Sequence, residues 1–201
     1  MALAPHGHVS RYVVRALVVF ALGALILWPI RQGLNNPVAY RNLIAFFCLG
    51  LGVWSILERS SQQEVRVPAL IAVPLVAAAG LSLLFLFKGS ASLSQLVTVL
   101  CALLGAMLLF SLIFPAKLSP APIVPLVSVF IVLFMAVGHF YLDINPWHMI
   151  YLAFPFLVLW VRRSIPVPRQ ALIEAAGLAL LAAAPLAYFL WTQYKISGPL
   201  P

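Results

Sequence analysis

The sequence predicts an all-helical integral membrane bundle, folded as one domain. Three observations carry that prediction. Of 201 residues, 64% are hydrophobic and only 8% are charged. A soluble domain carries about 25% charged residues, so this chain has too few polar side chains to cover a water-facing surface. The apolar residues fall into seven runs, most of them about the 20 residues that a helix needs to cross a hydrocarbon core. The residues between the runs are short clusters of charged, Asx, Ser and Pro side chains, which serve as turns and caps rather than as a soluble domain.

The expected spans are about 12–30, 37–57, 67–87, 93–114, 121–141, 146–161 and 168–194. The first follows the tail MALAPHGHVSR. It is too long for a signal-peptide core and no A-x-A site follows, so it reads as a retained anchor helix. Asn36-Pro37 opens the second run with an N-cap side chain and a proline at the first helical position. The stretch ERSSQQEVR after it reads as a polar linker. The third run has Pro68 near its start and Pro74 inside it. The fourth is entered through Ser92-Leu93-Ser94-Gln95, a capping-box pattern. The fifth and sixth are joined by a very short polar turn, and Asn145-Pro146 repeats the Asn-Pro start. The seventh opens at Pro168.

The sixth run is the short one. Its sixteen residues reach about 24 Å against a core of about 30 Å, so six spans is the alternative count if this run is re-entrant. Trp147 and Trp160 stand near its two ends, as interfacial aromatics do, and Tyr12, Trp28, Tyr40, Trp54, Trp191 and Tyr194 bracket other spans. Prolines 74, 125, 155 and 185 fall inside runs and can kink them. The small residues of Val76–Gly80 and Ala182–Ala184 would let the third and seventh runs pack closely. The recurring Asn-Pro would also fit an internal repeat, with runs one to three and five to seven as copies around the fourth.

With seven spans, one side collects Arg11, Arg15, Arg59, Arg66, Lys117, Arg162, Arg163 and Arg169. The other collects Arg31, Arg41, Lys88 and Lys195. Eight against four places the N-terminus in the cytoplasm. The compact loops favour a bacterial inner membrane. The net charge of +8 is spread singly or in pairs between apolar runs. It forms no basic stripe with interleaved aromatics, so nucleic acid is not an expected partner. Cys48 and Cys101 fall inside apolar runs and read as small buried hydrophobes; no CxxC or CxxCH occurs.

Few residues could carry chemistry. His139, Asp143 and His148 lie within ten residues of each other. His139 and Asp143 are four apart, so they share a face on a continuous helix. With His148 they could bind a divalent metal and activate water for hydrolysis of a lipid or envelope substrate. Against this, Asp143 and Asn145 stand where a helix–helix turn uses Asx residues, and no H-E-x-x-H or G-x-S-x-G occurs. Haem would need a second intramembrane histidine beside His139, so no cofactor is expected. Glu174 is the other candidate. A carboxylate two turns into an apolar run is costly unless paired or protonated. Arg162, Arg163 or Arg169 could pair with it and hold two helices together; otherwise it could serve a transporter.

Nearly every other polar residue has a cap, loop or interface to serve. The sequence therefore points to a non-enzymatic accessory, anchoring or assembly subunit, with membrane lipids and other membrane protein subunits as partners. The alternatives are a metal-dependent membrane hydrolase at His139, Asp143 and His148, and a small transporter using Glu174.

Overall fold

The computed structural model describes residues 37–62, 66–114, 123–161 and 171–197, with Val13, Leu17, Phe20, Ala21 and Ala24 of the first run. The described residues form six helices: α1 (Pro37–Gln62), α2 (Val67–Phe87), α3 (Ala91–Ile113), α4 (Ile123–Leu142), α5 (Pro146–Val161) and α6 (Ala171–Ser197). All but α5 are long and apolar enough to cross a membrane. The chain is thus an all-helical bundle of the membrane class. The expected count of seven spans includes run 12–30, which lies mostly outside the described residues. Its five described positions are helical, and Phe20 sits edge-on to Phe47 of α1, with ring centroids 6.4 Å apart.

Several boundaries depart from expectation for local reasons. α1 continues to Gln62, so the start of ERSSQQEVR is helix, not linker. Glu, Arg and Gln are good helix formers, and the Ser61 hydroxyl donates to the Glu58 carbonyl at 2.7 Å. α2 ends in a Schellman motif: the Ser90 amide donates to the Phe85 carbonyl and the Gly89 amide to that of Leu86, both at 3.0 Å. Gly89 holds φ 77° there, a conformation that glycine adopts without steric cost. That compact stop starts α3 at once, at Ala91, with Ser90 in the N-cap position. The Ser92–Gln95 capping box is therefore not used. Ser94 lies inside the helix and turns its hydroxyl toward α2. Pro125 also proves benign: it is the third residue of α4, within the first turn, whose amides have no intrahelical acceptor.

The Asn145-Pro146 start is observed as read. The Asn145 carboxamide oxygen accepts from the Trp147 amide at 3.0 Å. Only Asp143, Ile144 and Asn145 separate α4 from α5. Asp143 holds φ 50°, a left-handed conformation that Asp tolerates better than most L-residues. The Ile144 amide then reaches back to the Gly138 carbonyl at 3.3 Å.

α2 is the centre of the bundle. It packs on α3, α4, α5 and α6, and most of its residues are buried in protein, whereas few of those in α3 are. Both helices are apolar all round, so hydrophobicity does not separate them. Small residues do. Ala77, Ala78 and Gly80 of α2 are buried, as is Ala182 of α6. Gly80 makes room for the Leu186 side chain of α6, with which a Cβ there would collide, so α2 and α6 pack together where the small-residue patches predict. Among the described residues α3 packs chiefly on α2; the expected repeat includes run 12–30, which lies mostly outside them.

Successive helices run antiparallel. At one end Asn42 of α1 meets His139 of α4, Phe87 of α2 meets Tyr194 of α6, and His148 of α5 meets Phe189 of α6. At the other end Arg66, capping α2, meets Glu174 of α6. There too Leu57, Val67, Leu70, Pro74, Ile123, Val124 and Val127 line an apolar recess of about 10 Å³. The recess has room for about one water and offers it no polar partner.

Three side chains differ in exposure from what their apolar runs suggest. Trp54, expected among the interfacial aromatics, is covered by protein (8% exposed). Cys48 is exposed on α1, not buried as expected, and Cys101 is half-buried on α3, both as free thiols.

Candidate functional site

The turn between α4 and α5 gathers His139, Asp143, Asn145 and His148 within one short stretch of chain, yet it does not aim them at one point. His139 is half-buried near the end of α4. Its Nδ1 lies 2.7 Å from the Ile144 carbonyl oxygen. A carbonyl can only accept, so Nδ1 carries the proton and donates. Nε2 is then the lone-pair nitrogen, and it accepts from Asn42 Nδ2 of α1 at 2.9 Å. Both ring nitrogens thus have partners within hydrogen-bond distance. The rings of Phe46 and Phe140 pack around the imidazole, at 5.5 and 4.8 Å between centroids. One histidine thus ties together α4, α1 and the turn.

Asp143 is exposed, and its backbone makes the left-handed step of the turn. His148, near the start of α5, is half-buried against Phe189, with ring centroids 5.3 Å apart. Among the described residues its Nδ1 is buried and has no hydrogen-bond partner. Also among the described residues, no group of three or more His, Cys, Asp or Glu side chains is placed to hold a metal ion.

Glu174 is 1% exposed in the first turn of α6. The structure pairs it with a residue the sequence did not single out for it: Arg66 Nε lies 4.0 Å from Glu174 Oε2. Arg66 can serve because it is the N-cap residue of α2, half-exposed at the bundle end. The three arginines expected to reach Glu174 lie outside the described residues.

A hydroxyl cluster between α2 and α3 is also absent from the sequence reading. Ser82 Oγ lies 3.0 Å from Ser94 Oγ and 2.9 Å from Thr98 Oγ1, and it donates to the Ser94 carbonyl at 3.1 Å. Thr98 donates to that same carbonyl at 2.9 Å. Ser82 and Ser94 are buried. The signal was available: Ser82, Ser94 and Asn42 are polar residues inside apolar runs, where an unsatisfied group is costly and a partner on another helix is expected.

Compared with family profiles, with curated proteins and with solved structures, the chain matches none.

Proposed function

We propose that this chain is a non-enzymatic accessory, anchoring or assembly subunit that packs against other membrane proteins, in a bacterial inner membrane with its N-terminus in the cytoplasm. The observation that carries the reading is the commitment of His139. Its two nitrogens already have partners, Ile144 and Asn42, so a metal or a substrate proton at Nε2 would have to displace Asn42. Several hydroxyls inside the spans are likewise bonded within the bundle. Ser55, Ser111, Ser128 and Thr192 donate to carbonyls of their own helices, and the Ser82 cluster joins α2 to α3. The orientation rests on the eight-to-four distribution of Lys and Arg.

A subunit of this kind stabilises its partners, and partners left without it are removed by cellular quality control. Deleting the gene should therefore lower the amount of at least one other membrane protein. An otherwise unchanged membrane proteome contradicts the reading.

A second reading, a small transporter, is favoured by one observation: Glu174 is buried at 1% exposure within a membrane-spanning helix. It requires Glu174→Gln to abolish flux while the chain still folds, and normal flux in that variant removes it.

A further inference from the structure

The short helix α5 differs from its neighbours in a way that bears on the membrane itself. It has 16 residues, about 24 Å, beside α6 with 27, about 40 Å. Its outward face carries Trp147 and Trp160, 67% and 63% exposed, with Ile150, Phe154 and Leu157 exposed between them. The two indoles are about 20 Å apart along the axis at 1.5 Å per residue. Tryptophan settles at the headgroup boundary, where its ring is buried and its N–H is wet. Trp147 sits beside the polar Asp143–Asn145 turn, which fixes that end at the boundary. A flat core of about 30 Å would then leave Trp160 about 10 Å below the opposite boundary. Tilting α5 only increases the shortfall.

We propose that the bilayer is locally thinned along the outward face of α5, with phospholipid acyl chains covering Ile150, Phe154 and Leu157 and both tryptophans held at headgroup level. Thinning is one of the general responses to a helix too short for its membrane, oligomerisation being another. Lipid is favoured here because both ends of the face are finished with exposed tryptophan and no charged side chain lies between them. The proposal does not depend on the subunit reading.

The test uses the full chain reconstituted in phosphatidylcholine vesicles whose acyl chains carry bromine near the headgroup or near the chain end. Fluorescence quenching is compared among the native chain, Trp147→Phe and Trp160→Phe. Both substitutions fall on exposed rings, so the fold is retained. The fluorescence lost in each variant reports the depth of that tryptophan. Both components should be quenched more by the shallow bromine than by the deep one, as expected of indoles at the interface. A Trp160 component quenched more by the deep bromine means a flat bilayer, and overturns the proposal. A component quenched by neither means that protein covers the face, and overturns it equally.

Discussion

At the scale of single residues, His139 is the side chain on which most depends. Its imidazole ends one helix, accepts from a second and holds the turn to a third. Removing it leaves the Ile144 carbonyl and the Asn42 amide without their partner, each in a partly buried place. His139→Ala is expected to cost about 1–3 kcal/mol, the range for orphaned buried polar groups. Asn42→Ala should cost less, about 1 kcal/mol, in line with hydrogen bonds between membrane helices. Because the two residues share one bond, the double variant should fall short of the sum of the singles by roughly 0.6 kcal/mol. Reversible unfolding in mixed micelles measures all three. Strict additivity would mean that the Asn42–His139 bond does not form. The metal content should be the same in His139→Ala as in the native chain, and a stoichiometric metal lost in that variant would restore the hydrolase alternative. This site was only half legible in the sequence. Asn145-Pro146 could be read as a cap because the cap bond spans two residues. Asn42 and His139 are 97 positions apart, and no local pattern connects them. The partner of Glu174 was missed for the same reason: Arg66 is brought to it by the packing of α2 on α6, not by nearness in the chain.

At the scale of elements, helix identity was legible and helix ends were less so. Apolar runs near 20 residues give the number and place of most helices, since each must satisfy its own backbone in lipid. Ends depend on which of several capping patterns wins. The Schellman stop at Gly89 set the start of α3 and displaced the Ser92 capping box; helix-forming polar residues carried α1 past its apolar run. The close approaches were legible as small residues, but their directions were not. Gly138 of α4 shows the consequence. A Cβ there would lie 2.6 Å from Met149 Cε of α5 and 2.6 Å from Phe85 Cε1 of α2. The methionine tip can move, whereas the buried Phe85 ring cannot move freely. Gly138→Ala should therefore destabilise by about 1–3 kcal/mol through overpacking, although alanine favours helix. A gain in the unfolding midpoint would show that α2, α4 and α5 are packed more loosely than described.

At the scale of the whole molecule, α2 is a central post with its neighbours arranged around it, and the polar groups serve as ties between them. Asn42–His139 links α1 to α4, Ser82–Ser94–Thr98 links α2 to α3, and Arg66–Glu174 links α2 to α6. Lys195 lies 5.3 Å from the Trp191 ring centroid, a cation–π contact at the end of α6. Under the proposed subunit reading, the outer surface of the bundle is where partners would bind. The most direct test is native mass spectrometry after gentle extraction from the source membrane. The subunit reading predicts a stable heteromeric assembly containing this chain in fixed ratio with other membrane proteins. A chain that emerges alone and turns over a substrate by itself would contradict it.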